Sequence, residues 1–187
     1  MLLNIKNMVC DRCILVVKQQ LEHMDLQVAE ISLGTAVVSP DPSESKLSEI
    51  ASSLNILGFE LMEKDKDKLI ERMRNVIIEL IHHTDLPELH VNFSQALTER
   101  LHKDYSYLSR LFSDSEGITV EKFIIQQKIE KVKELLQYGE LNLNEIAWKM
   151  GYSSNSHLSN QFKAVTGQSP REFKAVESNE RKPLDKI

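Results

Sequence analysis

The chain has only two cysteines among its 187 residues. They are Cys10 and Cys13, three positions apart. A disulfide between them would close a tiny loop and constrain little of the unfolded chain, so cysteine cross-linking is excluded as a source of stability. No run of eighteen or more apolar residues occurs, so no membrane-spanning helix is expected. The opening Met-Leu-Leu-Asn-Ile-Lys has no basic region followed by an apolar core, and does not read as a secretory signal. A soluble, cytoplasmic protein with no membrane partner is the expectation. An excess of positive charge is also missing. The formal net charge is -5, weak for a chain that would rely on phosphate contacts. Much of the deficit falls in residues 1–64, with five Lys/Arg against nine Asp/Glu; the rest is near neutral, with 18 against 19. A nucleic-acid binder of this charge needs its basic residues on one face, or two copies acting as a homodimer. No nucleophile, base and carboxylate stand in an arrangement that supports catalysis, so an enzyme is not expected.

What is present divides into two parts. The length fits one or two small domains. Residues 1–64 switch between strand and helix periods. Leu3-Asn-Ile5 alternates as a short strand. Cys13 to Met24 places Val16, Val17, Leu21 and Met24 on one helix face. Val28 to Val38 reads as a hairpin about Gly34, with Val28, Glu30 and Ser32 facing one way and Ala29, Ile31 and Leu33 the other. Leu47, Ile50, Ala51, Leu54 and Leu57 form a second helical stripe, ended by Gly58. Phe59-Glu-Leu-Met is a last strand. The order β-α-β-β-α-β predicts a ferredoxin-like four-stranded sheet with two helices on one face.

Glu63 to Asp67 alternates in charge, and the domain boundary is placed there. Residues 65–178 read as all-helical, and 179–187 as a polar tail. Leu69, Met73, Val76, Ile77, Leu80 and Ile81 make a helical stripe. His82 and His83 fall at its end, where exposure or a dipole interaction suffices. Asn92 with Gln95, and Asn142 with Glu145, have capping-box spacing; Ser169-Pro-Arg-Glu172 is a firmer start signal. The overall class is α+β: a βαββαβ domain, then two helix-turn-helix units joined by a linker helix. That linker is Val120 to Tyr138, with Ile125, Ile129, Val132 and Leu136 on one face. A helix of about 19 residues spans roughly 28 Å. One turn of B-DNA is about 34 Å, so such a rod can hold two reading helices in successive segments of the major groove.

Leu143 to Lys163 reads as helix, glycine turn, helix. Ile146, Ala147 and Met150 line the scaffold helix, Gly151 makes the turn, and Leu158 and Phe162 point inward. Asn155, Ser156, Ser159, Asn160 and Lys163 are left outside. Asn can pair with adenine N6 and N7, and Ser with several base edges. Lys163, Arg171 and Lys174 suit phosphate, which positions without specifying. Upstream, Leu108, Leu111 and Phe112 face inward, and Tyr105, Ser106, Ser109 and Arg110 outward. Arg110 is the leading candidate for a guanine contact. Trp148 is assigned to packing between helices. His157 suits packing as well as base reading.

These segments resemble the AraC/XylS family DNA-binding domain. Glu145-Ile-Ala, Gly151-Tyr-Ser-Ser, His157-Leu-Ser-Asn-Gln-Phe-Lys163 and Thr166-Gly-Gln-Ser-Pro-Arg-Glu-Phe-Lys174 carry the likeness, which covers residues 66–176. It implies seven helices that bind double-stranded DNA in a transcription regulator, often an activator touching RNA polymerase. The family's outward positions fall on Ser106, Ser109, Arg110, Asn155, Ser156 and Asn160. Asn160 stands where many members have arginine, and Ser113 where lysine is common.

Met8-Val-Cys-Asp-Arg-Cys13 lies between the first strand and the first helix. Two thiolates three apart at a helix start can face one ion, and soft sulfur favours Cu(I) over magnesium or calcium. Two cysteines make a linear or incomplete site, not a closed tetrahedral zinc site. A redox pair, or cysteines with neither role, stays open. Residues 1–64 also resemble the heavy-metal-associated domain of copper chaperones and metal-pumping ATPases, through Met8-x-Cys-x-x-Cys13, the element order and Gly58-Phe59. The resemblance implies Cys10 and Cys13 as ligands, with Met8 and Phe59 packed nearby. Asn7 departs from it, standing in place of the usual glycine. The combined expectation is a DNA-binding regulator whose N-terminal domain senses a soft metal. The alternatives are a metal-trafficking protein whose helical part docks a partner, and a CxxC redox protein.

Overall fold

The computed structural model describes residues 1–62, 65–84, 92–175 and 184. They fall into two compact units, Met1–Val76 and Ile77–Ile187. In the first unit the elements are β1 (Leu2–Lys6), α1 (Asp11–His23), β2 (Gln27–Ser32), β3 (Thr35–Ser39), α2 (Glu44–Ile56), β4 (Glu60–Leu61) and the larger part of α3 (Asp65–Ile78). The strands form one antiparallel sheet in the order β2-β3-β1-β4. Val17 and Leu21 of α1 and Ile50 and Leu54 of α2 meet Leu3, Ile5, Ala36 and Val38 of the sheet in a single core. Met8 and Phe59 are buried in it too.

Several details of this unit depart from the sequence reading. Val16 and Leu57, placed on the apolar helix faces, are exposed. The hairpin does not alternate cleanly. Val28 pairs with Val38 and Glu30 with Val37, so Ala29 is an extra residue. Such a bulge resets the period-two pattern, which brings Val28 and Ile31 against the same core. The compact unit also runs past Lys64, because α3 adds buried residues to it: Ile70, Glu71, Met73, Arg74, Asn75 and Val76.

In the second unit the helical run continues from α3 through a π-helical turn, Glu79–His83. It is followed by α4 (Phe93–Leu101), α5 (Tyr105–Glu116), α6 (Val120–Tyr138), α7 (Leu143–Lys149), α8 (Asn155–Thr166) and α9 (Pro170–Ala175). Each described start from α4 to α8 has an N-cap side chain: Asn92, Asp104, Thr119, Asn142 and Ser154. The box expected at Asn142–Glu145 forms in both directions. So does Ser169–Glu172, with Glu172 Oε2 accepting from the Ser169 N–H at 2.7 Å and Ser169 Oγ from the Glu172 N–H at 3.2 Å. At Asn92 only half of it forms, since the Gln95 side chain donates to Glu99 instead. The end of the domain at 178 and the polar tail lie outside the described residues, Leu184 excepted.

His82 is not the exposed helix-end residue expected. Its Nε2 lies 3.0 Å from Oε1 of the fully buried Gln127 on α6. Burial, with the Lys131 charge nearby, lowers its pKa from 6.5 to about 4. The unfolded chain therefore takes up a proton near pH 6.5 that the folded unit refuses until about pH 4. Stability from this site is full above 6.5 and is lost as pH falls toward 4, by at most about 3 kcal/mol. Urea unfolding followed by circular dichroism at pH 7.5 and pH 5 should show this loss. His82→Gln should flatten it, and an identical pH slope in the variant would remove His82 as its cause.

Candidate nucleic-acid interface

The two candidate reading helices, α5 and α8, repeat one pattern. Asn155 opens α8 fifty residues after Tyr105 opens α5, and each helix has twelve residues. Leu108 and Phe112 in one match Leu158 and Phe162 in the other, all fully buried. Both helices end at a left-handed glycine, Gly117 or Gly167. The expected inward residues are thus inward, apart from Leu111, which is half-buried. The outward faces are polar in both copies.

On α5, Ser106 and Arg110 are exposed and Ser109 is half-buried. Ser106 donates its hydroxyl to the Asp104 cap, which also accepts the Ser106 N–H at 2.9 Å. These bonds hold the Asp104 carboxyl below its ordinary pKa. Tyr105 is less available than the sequence suggests. It is half-buried, and its hydroxyl donates to Glu121 Oε1 of α6 at 2.7 Å. Burial first, then the Glu121 carboxylate, pushes its phenol pKa up. Tyr107, whose ring suits packing at least as well as DNA contact, is half-exposed.

On α8, Ser156, Asn160 and Lys163 are exposed, and Asn155 and Ser159 half-buried. Asn155 Nδ2 donates to Asn144 Oδ1 of α7 at 2.5 Å, and Asn155 Oδ1 accepts from the Ser156 hydroxyl at 3.2 Å. The amide is therefore held by a residue the sequence reading passed over. His157 packs its ring edge-on against Tyr152, with centroids 5.4 Å apart, and its Nδ1 lies 3.2 Å from Ser153 Oγ. Arg171 and Lys174 are exposed on α9. The copies differ in their cations. Fifty residues on from Arg110 stands Asn160, and fifty on from Ser113 stands Lys163, so each helix carries one cation, at a different turn.

The glycine turn of the second copy is fastened to α6. Lys128 Nζ donates to the Met150 carbonyl at 3.0 Å and lies 5.4 Å from the Tyr152 ring and 5.8 Å from that of Phe93. Burial lowers its pKa. Lys128 sits on a helix whose charges read as a solvated face, and nothing in the sequence singles it out. Trp148 is the reverse case. Assigned to packing, it is 55 % exposed, because α7 turns Ile146 and Ala147 inward and leaves its neighbour outside.

Cys10 and Cys13 belong to the other unit. Cys10 caps α1, with its carbonyl accepting from the N–H groups of Cys13 at 2.9 Å and Ile14 at 3.2 Å. The sulfurs are 3.3 Å apart and both half-buried. Burial raises the Cys13 thiol pKa, so a cation there must displace a proton. In-line ligation at about 2.3 Å per bond needs sulfurs about 4.6 Å apart. Rotation of one cysteine side chain would move the sulfurs toward that spacing. Among the described residues no group of three or more His, Cys, Asp or Glu could hold a metal ion. Also among them, no helix is long and apolar enough to cross a membrane.

Residues 97–175 match a helix-turn-helix domain family. The chain is 28% identical over 106 residues to the Msm operon regulatory protein of Streptococcus mutans, covering 56% of this chain and 37% of that protein. It is 32% identical over 114 residues to an uncharacterized HTH-type transcriptional regulator, YfiF, of Bacillus subtilis, covering 54% and 36%. It thus spans little more than a third of these curated relatives. Among solved structures, the C-terminal domain of AraT, a response regulator from Geobacillus stearothermophilus, is 26% identical with a TM-score of 0.50, covering 64% of this chain and 95% of that one. An AraC-type regulator from Chromobacterium violaceum shares the fold at 19% identity and TM-score 0.50, covering 58% and 95%. The curated relatives are named as an operon regulatory protein and a transcriptional regulator, and the solved structure as a domain of a response regulator. Residues 97–175 are thus similar to a helix-turn-helix domain, and the paired units share their fold with the C-terminal domain of AraT.

Proposed function

We propose that the chain is a sequence-specific transcription regulator whose α5 and α8 enter successive major-groove segments of one duplex. The observation that carries this reading is the fifty-residue repeat: two helices of equal length, with the same residues buried and polar faces outside. Arg110 is matched to guanine O6 and N7, and Asn160 to adenine N6 and N7. Lys163, Arg171 and Lys174 take phosphate. The working site is cytoplasmic double-stranded DNA, with RNA polymerase as a further partner and a homodimer as the means of adding affinity to a near-neutral domain.

The first unit serves as the sensor in this reading. Its element order and sheet order suit a ferredoxin-like, heavy-metal-associated domain, and Asn7 adopts φ 72, the left-handed conformation natural to the glycine it replaces. Cys10 and Cys13 would hold a soft cation such as Cu(I), which would supply a cross-link between the loop and the first turn of α1.

Selection of duplexes from a random pool, with thiols reduced and with or without Cu(I), should enrich one sequence. Enrichment of none in either condition would sink the regulator reading. Cys10→Ser with Cys13→Ser should abolish any Cu(I) effect on DNA binding; a response that survives moves the sensing elsewhere.

Single variants separate readout from anchoring. Arg110→Ala should relax selectivity at one base pair by about 1–3 kcal/mol. Lys163→Ala should weaken all duplexes alike and lower the salt slope by about one. Binding titrations at several salt concentrations check both, and Arg110→Ala with unaltered base preference would retire the guanine assignment.

A further inference from the structure

The loop that carries the cysteines is tied to α3. The Asn7 backbone N–H donates to Glu71 Oε1 at 3.0 Å, and the Asn7 side chain donates to the Gly58 carbonyl at 2.9 Å. Glu71 is only 4 % exposed, and Arg74 Nε lies 3.7 Å from its other oxygen. One turn on, Asn75 Nδ2 donates to the Leu33 carbonyl at 3.3 Å. That contact needs Gly34: a Cβ there would sit 2.2 Å from the Asn75 amide nitrogen. One buried face of α3 thus grips the β1–α1 loop and the β2–β3 turn, while Asn7 joins the α2–β4 turn to the same knot.

The chain between this knot and the thiols has little slack. Met8 is fully buried, and Cys13 packs against the core. Changing the 3.3 Å separation of the sulfurs therefore falls mostly on Cys10 and the loop before it. In-line ligation must widen the gap toward about 4.6 Å, and a disulfide must close it to about 2.05 Å. Rotation of the Cys10 side chain takes up part of either change, and the remainder would fall on the backbone toward Asn7, three residues away.

We propose that Glu71 is a positioning residue of the cysteine loop, so that occupation of the thiols and the seating of α3 are coupled through Asn7. For its ligand the proposal rests on the soft-cation reading of Cys10 and Cys13. Coupling of this kind is reciprocal: what ligation does to α3, α3 does to ligation by the same factor. The chain leaves the first unit along α3, which makes its seating the quantity a ligand would change.

The test uses the full chain, reduced and free of oxygen. Cu(I) is delivered against a competing chromogenic chelator, and hydrogen exchange is followed along α3. Loading should change exchange at residues 70–75 by at least about fivefold, and Glu71→Ala should shift Cu(I) affinity by a similar factor. Glu71→Gln keeps an acceptor oxygen and should stay near wild type. If Glu71→Ala does not fold, Asn75→Ala should shift affinity in its place. Cys10→Ser with Cys13→Ser should show neither uptake nor an α3 response. Uptake with unchanged α3 exchange and unchanged affinity in the variants would overturn the coupling and leave the sensor reading intact. If wild type takes up no Cu(I), the metal reading fails. Alkylation of both thiols with iodoacetamide then probes the coupling: a change in α3 exchange supports it, and no change overturns it.

Discussion

Phe112 and Phe123 stand 5.4 Å apart, and Phe162 and Phe173 stand 5.6 Å apart, each pair tilted or edge-on. In each copy the last buried ring of the reading helix meets the first buried ring of the helix that follows. Aromatic pairs in this geometry add directional preference to area burial. They set the roll of α5 and α8 about their own axes, and roll decides which side chains face outward. Loss of either ring would remove that constraint on the outward faces of α5 and α8. α6 takes part in both seats, supplying Phe123 to the first and packing against α8 and α9 for the second. It also carries the Glu130–Lys133 ion pair, buried and 2.6 Å long, with the ammonium 5.9 Å from the Phe173 ring. A buried pair of this kind contributes little net stability but penalises packings that separate it.

The parts legible in the sequence are those governed by local physics. The limits of α6 follow from a threonine cap and a terminal glycine, and Val120–Tyr138 is found as read. The capping boxes at Asn142 and Ser169 are reciprocal bonds within four residues. Leu108, Leu158, Phe112 and Phe162 are spaced for one helix face. The parts that were not legible depend on partners distant in the chain. His82 is buried because Gln127 arrives from α6. Tyr105 is turned away from the open face by Glu121, sixteen residues on. Lys128 looks like one more surface lysine until the Met150 carbonyl and two rings surround it. The bulge at Ala29 escapes a period-two count because an extra residue leaves no compositional mark.

In the first unit the cysteine pair was legible, but its surroundings were not. Cys-x-x-Cys at a helix start declares two thiols. The sequence of α3 has an apolar stripe, and this draws notice away from Glu71 and Asn75, polar residues that turn out buried on the same helix. Buried polar side chains are retained where they have partners. Those partners are main-chain groups of the β1–α1 loop and the β2–β3 turn, and no residue pattern announces them.

The swap of cation between the two copies has a geometric consequence. Arg110 lies two turns into α5 beside the small Ser113, whereas Asn160 occupies the matching place on α8 and Lys163 the one a turn later. A single chain with two unlike readers has polarity. It has no internal two-fold symmetry for a palindrome to mirror, so on the proposed reading an element inverted in its promoter would present each base pattern to the wrong helix. One copy of the protein would then distinguish upstream from downstream.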